Sequence, residues 1–491
     1  MLFNSMHFIL LFLPLTFLLY FFLNNLRLIV LGKIWLVIMS LFFYSYWNIY
    51  YLPLLLGSII FNFFIGNLFV AQNVFLNSKL SRKFTLLIGI TLNLILLGYY
   101  KYFGFLVNNT NYLFNIDYSI PEIILPLGIS FFTFTQIAYL IDCYRGKVLE
   151  YDIINYSLFV TFFPHLIAGP ILHHHEMMSQ FASPWTWYIR HKNIIKGLFV
   201  FSIGLFKKVI IADTFSYWAN LGFNGAVKLD FYSAWVTSLS YTFQIYFDFS
   251  GYCDMALGAS LLFNIWLPIN FNSPYKSLDI QDFWRRWHIT LSRYLRDYLY
   301  IPLGGNKCST SRHYGNLILT FLIGGFWHGA SWMFIIWGAL HGIALVIHRI
   351  WIRFGVSLPN AFAWFITFNF INITWIFFRA DNMHTALHII KLMFNPNKIL
   401  LLSEIPTINL SWGGWLIDYI INYLPIGLAT NLLSSLFIAI AFFIVQRNNS
   451  FEIITKIKFN YLSTCLFVLL FSMTLYATVF STNTEFLYFN F

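Results

Sequence analysis

The sequence predicts an all-α polytopic membrane protein, on two observations. Of 491 residues, 59% are hydrophobic, 21% aromatic and only 10% charged, against about 25% charged in an average soluble domain. The apolar residues also come in successive runs of roughly 20, each able to cross about 30 Å of hydrocarbon as a helix. We expect about ten to twelve such crossings plus re-entrant pieces. They form one integral-membrane domain over residues 1–491, with no soluble domain and no internal repeat.

The first run, residues 2–23, has neither a basic leader nor a small-residue cleavage site and reads as a retained helix. The loops then alternate in charge. Residues 24–33 carry Arg27 and Lys33, and the connection around Asn48 carries no Lys or Arg. Residues 72–83 carry Lys79, Arg82 and Lys83, residues 108–120 none, and residues 143–152 Arg145 and Lys147. The positive-inside bias places the amino terminus outside and Arg145 inside. Beyond Asp152 the apolar run SLFVTFFPHLIAGPIL holds Pro164, Gly169 and Pro170 and leads to a second basic stretch, residues 190–196. Both of its ends fall on the inner side, so the segment is expected to dip in and return, shielded by protein or facing a water-filled cavity. Crossings resume over 197–219 and 232–266. Residues 272–312 are the most basic in the chain and fall inside. Residues 315–347 suit two short crossings or one broken pair, and later crossings fall near 360–378, 425–445 and 459–480. The basic stretch 447–458 is inside, which leaves the tail STNTEFLYFNF outside.

Net charge is +11. The basic residues are scattered over short loops, which excludes a nucleic-acid-binding surface and fits membrane topology. The four cysteines, Cys143, Cys253, Cys308 and Cys465, lie far apart with no CxxC, so no metal, redox or disulfide framework is implied. HHHE, at His173 to Glu176, lacks the second histidine of HExxH, and consecutive histidines rarely converge on one ion. The chain also lacks GxSxG, a Walker loop and GxGxxG.

Three segments carry chemistry. DFWRRWHITLSRYLRDYLYIPLGGN, residues 282–306, reads as an amphipathic helix along the inner membrane face. Trp284, Trp287, Leu291 and Tyr294 share one side, and Arg285, Arg286, Arg293 and Arg296 the other. His288 falls about 40° from Trp284 and turns toward the apolar side. It is either a core histidine bonded to a carbonyl or a functional group. The arginine face either anchors anionic headgroups or holds phosphates of an acyl donor. GGFWHGASWMFIIWGALHG, residues 324–342, holds His328 and His341 in apolar surroundings. One continuous helix would separate them by roughly 20 Å and about 140°, so they share a site only if the helix breaks, which the glycines at 324, 325 and 329 permit. Flanked by Trp327 and Trp332, His328 can stay neutral and accept a proton from a hydroxyl. YTFQIYFDFSGYCDMALG, residues 241–258, places Asp248 and Asp254 in an apolar run, where each charge costs about 2.5–3.5 kcal/mol near mid-membrane. They are opposed by about 120° on a helix. Bonding to neighbouring helices is the first reading, and a catalytic acid the second.

WRRWHITLSRYLRDYLYIPLGGN followed by GGFWHGASW resembles the membrane-bound O-acyltransferase family. LPLGISFFTFTQIAYLID, TFFPHLIAGPI, QIYFDFSGYCDMALG, FFRA and FLYFNF are similar to its bacterial branch of alginate and peptidoglycan O-acetylation membrane subunits. The resemblance covers nearly the whole chain. It departs at Cys253, where a serine is usual, and at His165, where glutamine is usual; neither is expected to touch the catalytic pair.

The resemblance implies helices and re-entrant segments around a central funnel, with His328 as the catalytic histidine, His288 as its companion and His341 structural. Trp327, Asp248, Ser250, Asp254, Asn306, Arg286 and Arg296 are further candidates to line the funnel or bind substrate. It implies no bound cofactor and no metal, acetyl-coenzyme A as acyl donor, a polysaccharide acceptor, an extracytoplasmic acetyltransferase partner, and a place in the bacterial cytoplasmic membrane. Peptidoglycan is the favoured acceptor, with alginate or another exopolysaccharide open. The rivals are D-alanyl transfer to teichoic acid, a proton-relaying transporter or flippase, and a structural scaffold for a cell-wall complex.

Overall fold

The computed structural model describes residues 1–70, 79–119, 123–148, 152–225, 228–396, 426–457, 460–480 and 486–487. Most of the expected outer tail, and parts of the 72–83, 108–120, 143–152 and 447–458 loops, lie outside the described residues. The chain divides into two compact units, Met1–Leu198 with Ala256–Pro268, and Phe199–Met255 with Ile269–Phe491.

The first unit opens with α1 (Leu13–Asn25), continued from a π turn at Phe8–Phe12, then α2 (Ile29–Ser45), α3 (Leu52–Val70) and α4 (Lys79–Leu97). A π turn at Gly98–Tyr102 joins α4 to α5 (Phe103–Phe114), and α6 (Ile129–Tyr144) follows. Leu15, Leu18 and Phe22 of α1 are exposed, whereas Tyr20 and Phe21 are buried. A large apolar surface of this kind needs lipid rather than water beside it. By contrast, α6 is buried along nearly its whole length. Its Gln136 is met by Asn62 of α3, which exchanges amide hydrogen bonds of 3.2 and 2.7 Å with Asn93 of α4. Such pairing lowers the cost of placing polar side chains among membrane helices.

The segment expected to dip in and return forms two short helices, α7 (Ile153–Thr161) and α8 (Phe163–Leu166). Asp152 caps α7 by accepting from the Ile154 N–H at 2.9 Å. The chain turns at Phe162, where Pro164 follows in the first turn of α8. The Phe163 N–H freed by the break donates to Ser40 Oγ at 3.1 Å. Nine residues of α7 rise only about 14 Å, too short to span a bilayer, and irregular backbone of this kind survives by burial in protein. Next come α9 (His174–Phe181) and α10 (His191–Phe206). In α9, His174 turns inward against Tyr139 and Phe159.

In the second unit, a π segment at Lys207–Ala212 leads from α10 into α11 (Asp213–Phe223) and then α12 (Phe231–Leu262), a 32-residue helix. Gly204 and Gly251 let the neighbouring backbones close up, since a Cβ on Gly204 would lie 2.6 Å from the Gly251 carbonyl oxygen. The segment expected as one amphipathic helix is instead α13 (Ile280–Arg286), α14 (Ile289–Leu295) and a π turn at Arg296–Tyr300. It breaks at Trp287 and His288. The freed backbone groups find partners on an adjacent extended segment: the Ile289 N–H donates to the Asn270 carbonyl at 3.0 Å, and the Asn272 N–H donates to the Arg286 carbonyl at 2.9 Å. Periodicity alone could not show that this partner exists.

Residues 315–347 form the broken pair, α15 (Thr310–His328) and α16 (Trp332–Arg353). A Cβ on Gly325 would run into the Phe334 carbonyl, and one on Gly338 into that of Phe321, so the two helices pack backbone to backbone. The unit closes with α17 (Asn360–Arg379), α18 (Met383–Met393), α19 (Ile426–Val445), α20 (Ser450–Lys456) and α21 (Tyr461–Phe480). Among the described residues, five helices are long and apolar enough to span a membrane unaided, and the bent α19–α20 pair is a sixth candidate. The remaining helices are shorter, interrupted or carry polar groups.

Candidate active site

The site is built in the second unit, around the turn between α15 and α16. His328 is the last residue of α15, and Gly329 leaves the helix in an extended conformation. A side chain at Gly329 would strike the Phe334 ring, and Ser331 caps α16 by accepting from the Met333 N–H at 3.2 Å. The GGFWHGASW stretch therefore encodes a tight hairpin with an imidazole at its tip.

That imidazole is 3% exposed and sits among rings. Trp327, Trp337 and Phe378 pack on it at 5.0, 5.2 and 5.2 Å. His288 is fully buried, its ring 4.8 Å from Phe249 and 6.4 Å from Trp327. The two candidate catalytic histidines thus share one neighbour, the indole of Trp327. His288 is the residue at which the expected helix breaks, with φ +43°, a left-handed conformation that costs a non-glycine residue about 1–2 kcal/mol. Strain of that kind collects at functional sites, where the surroundings enforce it.

The helix break also brings His341 close. Its ring lies 4.8 Å from Trp337, and its Nδ1 accepts from the Trp284 indole N–H at 3.2 Å. His328 and His341 therefore share Trp337 as a neighbour, and the separation expected of one continuous helix does not apply. Trp332 is 57% exposed, while Trp337, which hydropathy does not distinguish, packs against His328.

The other candidates divide. Asp248 meets Lys208 at 2.7 Å and accepts from the Leu487 backbone N–H at 3.1 Å. Lys208 also meets Asp213 at 2.8 Å. Asp254 meets Lys207 and Ser450, both at 2.7 Å. The two carboxylates, opposed on the helix as expected, each engage a different lysine of one Lys-Lys pair. Ser250 is buried on the same helix. Arg286 is held by Asp282, both contacts at 2.9 Å, and Arg296 by Asp297 at 2.7 Å on the surface. Asn306 is exposed in the turn before α15 and stands outside the buried cluster. A groove of about 680 Å³ in the first unit, lined by Leu15, Leu18, Phe22 and Tyr188 among others, contains none of the candidates.

Sequence reasoning missed Lys207, Lys208 and Asn270. Two adjacent lysines inside the apolar run FSIGLFKKVIIADTF were the available signal for the first two. Asn270 carries no such mark. Its Oδ1 lies 3.1 Å from His288 Nδ1, and its amide donates to Cys253 Sγ at 3.4 Å. Cys253 therefore lies one residue removed from His288, closer than its apparent independence of the pair suggested. His165 lies buried in α8, in the first unit.

The model of the membrane-bound O-acyltransferase family matches residues 17–380. The chain belongs to that family. The acyltransferase is 52% identical over 429 residues to a peptidoglycan O-acetyltransferase of Helicobacter pylori, covering 81% of each chain. It is 41% identical over 401 residues to a probable alginate O-acetylase of Pseudomonas aeruginosa, covering 80% of this chain and 75% of that one. A teichoic acid D-alanyltransferase of Streptococcus thermophilus is 28% identical over 289 residues, 52% of this chain. The expected membership and acyl-transfer chemistry are thereby met, and the acetylating relatives match more of the chain than the D-alanylating one.

Proposed function

We propose that this acyltransferase supplies acetyl groups for O-acetylation of peptidoglycan outside the bacterial cytoplasmic membrane. The donor is acetyl-coenzyme A on the cytoplasmic side, and an extracytoplasmic acetyltransferase partner completes delivery to the polysaccharide. The 52% identity to a peptidoglycan O-acetyltransferase over four-fifths of both chains carries this choice of acceptor.

The chemistry follows from the imidazoles. His328 takes the proton of the attacking hydroxyl as its oxygen bonds to the thioester carbon. The carbon–sulfur bond breaks, and the proton passes to the departing thiolate. His288 orients a reacting group across Trp327. Aromatic walls keep water from the thioester, so transfer competes with hydrolysis. The experiment compares wall-bound O-acetate in wild-type cells and in cells carrying His328→Ala at equal membrane abundance. Loss of O-acetate in the variant is expected. Unchanged O-acetate overturns the reading, and loss confined to alginate or another exopolysaccharide overturns the choice of acceptor.

A further inference from the structure

We propose that Asn270 is a positioning residue that locks His288 in one tautomer, with the proton on Nδ1, so that Nε2 faces the reaction as a hydrogen-bond acceptor. The proposal deepens the reading in which His288 orients a reacting group, and rests on it.

The orientation of the Asn270 amide follows from donors alone. Its Oδ1 lies 3.2 Å from the Thr290 backbone N–H, which can only donate, and 3.0 Å from the Thr290 hydroxyl. A flipped amide would set NH₂ against that N–H. Its Nδ2 lies 3.4 Å from Cys253 Sγ, a weak acceptor that suits the NH₂ end. The oxygen is therefore the atom 3.1 Å from His288 Nδ1. An oxygen there requires Nδ1 to donate, and a neutral imidazole that donates through Nδ1 can only accept through Nε2. The backbone enforces the same registration, because the Asn270 carbonyl accepts from the Ile289 N–H at 3.0 Å, immediately after the left-handed turn at His288. All the groups involved are buried.

His288 is thereby suited to receive a hydrogen bond from a substrate hydroxyl and unsuited, while neutral, to donate one to a carbonyl oxygen. The attacking hydroxyl gives its one proton to His328, so His288 aligns the acceptor through a second, neighbouring hydroxyl and does not polarise the thioester. Cys253 tethers the far end of the amide, so its sulfur helps fix the imidazole two contacts away.

The test is ¹⁵N magic-angle-spinning NMR on full-length protein in bilayers with ¹⁵N-labelled histidine, the His288 signals being assigned by their loss in His288→Gln. The expected spectrum has Nδ1 protonated and Nε2 bare. Asn270→Asp, which keeps an acceptor oxygen, retains that pattern, as does Cys253→Ser. Asn270→Ala shifts population to the other tautomer and lowers kcat about tenfold, the worth of one neutral hydrogen bond at its upper range, with KM for the thioester unchanged. Asn270→Asp rescues kcat. A proton on Nε2 in the wild type overturns the proposal, and so does an Asn270→Ala spectrum identical to wild type. Should Asn270→Ala fail to fold, the wild-type and Asn270→Asp spectra still decide it. If the spectra are as expected but His288→Gln transfers acetyl at the wild-type rate, the tautomer stands and the catalytic use of His288 falls.

Discussion

The second unit buries two polar clusters, and they solve the same problem in opposite ways. At Lys207, Lys208, Asp213, Asp248 and Asp254, every charge sits within 2.8 Å of an opposite charge. At His288, His328 and His341, the neighbours are indoles and phenyl rings with a few neutral hydrogen bonds. Isolated charges among apolar helices are costly, so they persist by pairing. An imidazole can remain neutral there and keep a ring nitrogen for proton transfer. The difference teaches that burial is met here by pairing charges in one place and by neutral rings in the other. The charged cluster ties α12 to the π segment, while the uncharged one holds the histidines for which we propose chemistry.

That contrast can be broken by mutation. The largest effect is expected from His328→Gln. Loss of a positioned proton acceptor should lower acetyl transfer about 10²–10⁴-fold while thermal unfolding in detergent stays near wild type; a large fall in melting temperature would erase the distinction. Lys207→Met should do the reverse. It strands Asp254 and destabilises by about 3–5 kcal/mol, read as lost folded protein in size-exclusion chromatography. Lys207→Met with Asp254→Leu should recover most of that, because replacing a buried pair with apolar groups is often near neutral. Failure of the double variant to recover would point to a functional role for the pair. Gly325→Leu sharpens the comparison from the backbone side. Overpacking against Phe334 should cost about 1–3 kcal/mol or more and remove activity and hairpin packing together. The smallest effect is expected from His341→Phe. The Trp284 hydrogen bond is worth about 0.5–1.5 kcal/mol, so melting temperature should fall slightly and transfer persist within a few-fold. Complete loss of transfer would move His341 from support into chemistry.

Much of this layout is legible in the sequence, for identifiable reasons. His328 is singled out by its place in GGFWHGASW, because glycines around a lone imidazole announce a break, and the break occurs between His328 and Trp332. The helix break at Phe162 is announced by Pro164, which sits in the first turn of α8. His288 was placed on the buried side by a wheel drawn for one helix. It is buried, but because the helix stops there in a left-handed turn, and a wheel cannot draw that. Arg296 was assigned from the arginine face of the expected helix and Asn306 from the end of the same motif; both are exposed, at the surface rather than in the buried cluster.

The sequence by itself determined the solvent this chain requires, the order of its helical segments and the hairpin that carries His328. Hydropathy, loop charge and glycine spacing are local properties written in consecutive residues. Only the tertiary structure decided which lysine meets Asp248 and Asp254, that His288 and His328 share Trp327 as a neighbour, and that Asn270 lies against His288 Nδ1. These contacts join residues far apart in the chain or across a backbone break, where neither periodicity nor composition carries information about distance.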